Sequence, residues 1–217
     1  HYQSRYDYAA EYVQILQALW REGRASWDGR YFQLDDCSVL PTPNREIPLV
    51  CAGASPAGRQ FVAQYADHQF VLTSEDKLVG SVADIRAKAI ETKRDVGIYA
   101  LFHLIVADSD QQARAEVDAI IAGADQGAIS NILASADLDT NADGTAEQLK
   151  AALDQDVETG NMAFMGIPVI YGAPDTVVAR IEAIVKRTRI DGMLFSWPDF
   201  VSGIERFGSE VLPALEL

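Results

Sequence analysis

Apolar positions along this chain recur with two alternating periods. Tyr8, Tyr12, Ile15, Leu16 and Leu19 fall at helical spacing and predict a helix that is under way by Tyr6 and ends near Glu22-Gly23. Ser26 to Phe32 then reads as a hairpin with Asp28-Gly29 as its turn. Short apolar runs at 49–52, 69–72, 98–106 and 192–196 read as strands. Between them the helical period predicts helices at about 56–65, at about 76–92, from near Ser109, and from Pro174 to about Thr188. A last helix is expected to end near Leu212-Pro213.

Strands alternating with helices across short loops imply right-handed βαβ units and a parallel sheet. Four such strands suit either a small open α/β sheet or part of an eight-stranded barrel, which typically needs about 250 residues. From Gly123 to Gly160 the pattern weakens, and a mobile insertion over an active site is expected at 123–160 within one domain spanning 1–217. The acidic run from Asp137 to Gly144 superficially resembles a calcium loop. It lacks the glutamate that such a loop places at its twelfth position, so no metal site is expected.

Composition narrows the partners. The 217 residues carry a formal net charge of −14, with 48% hydrophobic and 23% charged residues. With no basic cluster to neutralise phosphates, nucleic acid and anionic membrane surfaces are disfavoured. No apolar run approaches the roughly 20 residues of a spanning helix, and the N-terminus does not read as a secretion signal. Cys37 and Cys51 lack metal-type spacing, and Cys51 in an apolar run is expected to be a buried reduced thiol. A cytoplasmic location is the resulting expectation. The chain starts at His1, inside an amphipathic helix, which suits either a natural start or the tail of a longer protein.

The stretch Leu49-Val50-Cys51-Ala52-Gly53-Ala54-Ser55-Pro56-Ala57-Gly58 carries the strongest chemical signal. An apolar run stops at Gly53, and a helix opens with Pro56 at its first position, where the missing N–H costs nothing. The unpaired N–H groups and positive dipole of such a helix start favour an anion, and Ser55 adds a hydroxyl. Two readings stand: a phosphate pocket at the C-terminal end of a strand, or an ordinary turn capped by Ser55.

Further stretches add a resemblance. Arg5-Tyr6-Asp7-Tyr8 with Glu11-Tyr12-Val13, Gly29-Arg30-Tyr31-Phe32, Cys51 to Gly58, Tyr65-Ala66-Asp67, Gly192 to Ser196 and Pro198 to Gly208 resemble the bacterial luciferase-like flavin monooxygenases. Within them the chain is most similar to the pyrimidine oxygenases of uracil degradation.

The resemblance implies an α/β fold, a (β/α)8 TIM barrel, of which the chain would supply roughly the C-terminal half plus an insertion. It implies reduced FMN delivered by an NAD(P)H:flavin reductase, dioxygen as oxidant, and a small-molecule substrate such as uracil or thymine. Arg5, Tyr6 and Ser55 match the family's flavin contacts, and Gly53 would let the backbone approach the cofactor. The resemblance assigns no catalytic residue. Trp197, just after a strand, is a candidate for the substrate pocket; His68 reads as a structural or surface histidine, and His103 as a satisfied core histidine. The alkanesulfonate branch places an arginine in the segment matching about 162–172, where this chain has no cation, so a neutral heterocycle is favoured. Alternatives remain: an oxygenase of another small organosulfur or halogenated compound, or a truncated flavin-binding relative without turnover. A partial barrel exposes strand edges, so a homo-oligomer is expected.

Overall fold

A computed structural model describes residues 4–53, 55–137 and 161–216. The order of elements is α1 (Arg5–Glu22), β1 (Arg24–Asp28), β2 (Gln33–Ser38), β3 (Val50–Cys51), α2 (Pro56–Tyr65), β4 (His68–Val71), α3 (Glu75–Thr92) and β5 (Gly97–Val106). Then follow α4 (Asp110–Ala122), α5 (Gln126–Asp137), β6 (Val169–Gly172), α6 (Pro174–Thr188), β7 (Gly192–Ser196) and α7 (Phe200–Arg206). β1 and β2 form an antiparallel hairpin, and β3 to β7 form one parallel sheet.

The sheet is organised by β5. Phe70 of β4 and Gly192 of β7 both pair with Tyr99, so β4 and β7 flank β5 on opposite sides. Val169 of β6 and Ser196 of β7 both pair with His103, so β6 follows β4 along the same side of β5. The sequence reading has four strands here; the structure adds β6, because β5 outruns β4 and leaves its last residues for another partner.

Side chains alternate across β5. Ile98, Ala100, Phe102 and Leu104 point into the helical layer, where they meet Val62 of α2, Leu78, Val82 and Ile85 of α3, and Val177, Ile181 and Ile184 of α6. Burying each large apolar side chain contributes roughly 1.5–3 kcal/mol, which makes this layer the main source of stability. Tyr99, Leu101 and His103 alternate to the other face and are only half-buried, beside Phe70 of β4 and Leu194 and Ser196 of β7.

Two local expectations change. The predicted Asp28-Gly29 turn is replaced by a wider loop closed by a hydrogen bond from Gly29 N–H to Phe32 O, 2.9 Å. The cause lies on α1. Glu11 accepts hydrogen bonds from the backbone N–H of Arg30, Tyr31 and Phe32 and from Trp27 Nε1, at 2.8–3.2 Å. The last predicted helix is broken into α7, a π turn at Phe207–Val211 and a 3-10 turn at Leu212–Ala214, where Pro213 has no N–H to continue an α-helix. The expected insertion is helical over α5, and its remainder at 138–160, with most of the acidic run, lies outside the described residues. Among the described residues no helix is long and apolar enough to cross a membrane, and no group of ligating side chains is arranged to hold a metal.

Glu11 gives the fold a pH dependence. Desolvation acts to raise its pKa, but the hydrogen bonds from Phe32, Tyr31, Trp27 and Arg30 outweigh it and hold the carboxyl below its ordinary 4.5. A depressed carboxylate pKa contributes stability that is complete above the unfolded value and lost as pH falls through the folded one. Glu11→Gln is therefore expected to lower the urea midpoint at neutral pH, and the gap to wild type should narrow as pH drops below about 4.5. A gap independent of pH would show that the charge on Glu11 does not hold the hairpin loop.

Candidate functional site

The first turn of α2 lies where the sequence places it. Ser55 has extended backbone angles and is the N-cap, and its Oγ accepts from Gly58 N–H at 3.1 Å. Pro56 fills the first helical position. Ser55 is buried, and Tyr6 Oη stands 3.3 Å from its Oγ. Either hydroxyl can donate in this pair, so the two can turn together toward an incoming acceptor. The Arg5 guanidinium carbon lies 4.8 Å from the centre of the Tyr6 ring, and Phe61 of α2 packs on that ring at 5.6 Å. Packing of α1 on α2 thus brings Tyr6 to Ser55 at the helix start, with Arg5 against the Tyr6 ring.

Two glycines make this approach possible. A Cβ on Gly53 would stand 2.6 Å from the carbonyl oxygen of Gly58, and one on Gly58 would stand 2.7 Å from Tyr6 Oη and 2.9 Å from Gly53 Cα. The strand exit, the helix start and the Tyr6 hydroxyl therefore touch only because neither residue has a side chain. Buried Gln69 of β4 fixes the turn from below, donating through Nε2 to Gly53 O at 2.7 Å.

The start of α6 shows the contrast. It too opens with proline, but Asp110 already sits there, accepting from Ala173 N–H at 2.8 Å and Thr176 Oγ1 at 3.1 Å. These bonds hold the Asp110 carboxyl below its ordinary range. A resident carboxylate repels an anion, whereas the start of α2 presents hydroxyls.

The other singled-out residues lie elsewhere. Trp197 packs with the helical layer against Phe195, Phe200 and Phe207, with ring centres 5.7–6.5 Å apart, and its Nε1 is buried without a partner among the described residues. It therefore does not share the face that carries His103. His68 opens β4, where the sequence reading puts it before the strand, and stacks on Tyr99 at 4.3 Å. His103 departs from expectation. Its Nδ1 is 2.8 Å from Ser196 Oγ, but its Nε2 is buried with no partner among the described residues, so the histidine is only half satisfied there. Desolvation pushes its pKa down and keeps the imidazole neutral. Ser196 drew no attention in the sequence; the strand register that pairs it with His103 is invisible there. Cys37 and Cys51 are free thiols, and burial, with help from the Asp67 charge, raises the Cys51 pKa and makes it a poor nucleophile. A groove of about 390 Å³ runs along α1 and the hairpin, but its polar centre is Glu11, already engaged by four groups of the loop.

The model of the luciferase-like monooxygenases matches residues 1–192. The chain belongs to this family. It is 33% identical over its whole length to pyrimidine monooxygenase RutA of Escherichia coli O81, covering 56% of that protein. This luciferase-like chain thus spans about half the length of the curated relatives it matches. Among solved structures, EDTA monooxygenase of Chelativorans superposes with a TM-score of 0.77 at 19% identity, over 97% of this chain and 59% of that one. The oxygenating component of 3,6-diketocamphane monooxygenase from Pseudomonas putida, solved in complex with FMN, gives 0.62 at 17% identity, over 97% and 63%. These likenesses place the parallel sheet in the luciferase-like α/β barrel class.

Proposed function

We propose that this luciferase-like chain serves a two-component flavin monooxygenase that uses reduced FMN and dioxygen to open the ring of a neutral pyrimidine such as uracil or thymine. The observation that carries the proposal is the contact of Tyr6 with Ser55 at the start of α2, with Arg5 on the Tyr6 ring, in a chain 33% identical to a pyrimidine monooxygenase. The donor set fits a phosphate monoester: hydroxyls, helix N–H groups and a forked cation, in a turn that two glycines let close. With a net charge of −14 on the chain, a phosphate needs that local cation and those donors to settle.

In this reading Ser55 and Tyr6 donate to the flavin phosphate, Arg5 neutralises it, and Gly53 lets the backbone approach. Bound reduced flavin supplies the electrons that activate dioxygen, and an NAD(P)H:flavin reductase replenishes them. The protein orients the substrate and excludes water at the C-terminal rim of the sheet, where barrel enzymes build their sites. The two free thiols suit a reducing cytoplasm. The edges of β3 and β7, unpaired among the described residues, suit further strands or a second copy of the chain, and a homo-oligomer is part of this reading.

The test is to combine the protein with FMN, a flavin reductase, NADH and uracil under air and follow uracil absorbance. Uracil loss that requires the protein supports the proposal. Turnover of a sulfone with uracil untouched would move the substrate to the organosulfur class. Flavin binding with no oxygenated product from either compound would leave a flavin-binding relative without turnover.

A further inference from the structure

The unsatisfied nitrogen of His103 has a specific place in the sheet. β4 ends opposite Ala100, whereas His103 lies further along β5, toward the C-terminal rim. Ser55 also lies toward that rim, just past the end of β3. His103 projects from the face opposite the main helical core, between Ser196 of β7 and Phe164, whose ring centre is 5.1 Å away at an interplanar angle of 47°; beyond it on this face Ile105 is buried by Phe164 and by Ala113 and Val117 of α4. Phe164 itself is 5% exposed, so one side of the imidazole is closed by an aromatic wall. An Nε2 buried without a partner is costly, and native structures keep few such groups without a use.

We propose that His103, set by Ser196, is the group that reads the polar edge of the substrate, and that it selects a neutral lactam or imide. This rests on the substrate class proposed above and assigns its recognition to a named atom. When Ser196 Oγ–H donates to Nδ1, Nε2 carries the proton and donates to a carbonyl. When Nδ1–H donates to Ser196 Oγ, Nε2 is bare and accepts from a ring N–H. An imide ring offers both groups side by side, so a change of His103 tautomer, its ring proton exchanged through solvent and the Ser196 hydroxyl turning to match, adapts the site to either. The imidazole is neutral, and its immediate neighbours Ser196, Val169 and Phe164 carry no charge, so a sulfonate or carboxylate gains no ion pair here. Burial makes the choice steep, because a compound lacking the polar edge leaves Nε2 unpaired.

The experiment is calorimetric titration of wild type, His103→Leu, His103→Gln and Ser196→Ala with uracil and with 2-pyridone, plus FMN as a control. Long-range nitrogen-15 NMR of the imidazole accompanies it. His103→Leu is expected to weaken lactam binding at least about tenfold with FMN affinity unchanged. His103→Gln should restore much of it, since its amide can donate or accept near the Nε2 position, and Ser196→Ala should fall between. The Nε2 resonance of wild type should shift on saturation with either compound. If 2-pyridone binds through His103 and uracil does not bind, the uracil assignment falls and the role of His103 stands. If neither compound moves the Nε2 resonance, or His103→Leu binds both within twofold of wild type, the role of His103 is overturned whatever the protein turns over.

Discussion

Gly58→Ala is expected to destabilise the protein and weaken its flavin binding together, although alanine ordinarily improves a helix. The usual gain for replacing glycine inside a helix is about 1 kcal/mol. Here the new Cβ would stand 2.7 Å from Tyr6 Oη, 2.9 Å from Gly53 Cα and 3.0 Å from the Gly53 carbonyl carbon. Two of these neighbours are backbone, so no rotamer relieves the contact, and overpacking of this kind costs about 1–3 kcal/mol. The steric cost wins, and it falls on the atoms that shape the cradle. Gly53→Ala meets Gly58 O, C and Cα at 2.6–2.9 Å with no helical gain to offset it, and should lose more. Gly80→Ala supplies the control: it lies inside α3 with open space around its Cβ and should gain about 1 kcal/mol. Urea midpoints and FMN fluorescence titrations on the three variants decide the matter. A raised midpoint for Gly58→Ala with unchanged FMN affinity would mean that the two glycines do not meet as described.

The start of α2 was legible because its signals are local. Ser55, Pro56 and the apolar positions Phe61 and Val62 lie within one helix length and agree with one another. What stayed hidden is set by residues far apart in the chain. The sequence pattern at Asp28-Gly29 favours a two-residue turn, but Glu11, a helix away, gathers three backbone N–H groups and widens the loop. Such a carboxylate looks like any solvated helix residue until the hairpin is folded beside it. β6 was hidden for a related reason: four residues beyond a weakly patterned stretch form a strand only because β5 extends past β4. His103 shows the limit most clearly. Alternation places it in a strand, but what packs on its face, and which nitrogen is left without a partner among the described residues, depend on Ser196 and Phe164, which lie far along the chain.

Arg5→Ala is expected to weaken FMN binding about 10- to 100-fold while leaving riboflavin binding unchanged, the range of a lost charge-assisted hydrogen bond. The comparison isolates the phosphate, because riboflavin keeps the ring system and ribityl chain and lacks only that group. Tyr6→Phe removes one hydroxyl but keeps the ring that packs on Phe61, so any loss belongs to the hydrogen bonds of that hydroxyl, to Ser55 and to the phosphate. Ser55 needs more care, since its Oγ also caps α2, and Ser55→Ala would mix a loss of about 1 kcal/mol in helix stability with a loss of affinity. Ser55→Gly keeps a residue tolerated at an N-cap at a cost of only a few tenths of a kcal/mol, so its effect on FMN reports binding. Because Tyr6 and Ser55 share a hydrogen bond, the double variant should lose less than the product of the two single losses. Salt should weaken FMN binding to wild type more than to Arg5→Ala, since only the former pairs a cation with the phosphate. Equal losses for FMN and riboflavin across these variants would place the phosphate away from the start of α2, and the cradle would then be a structural cap.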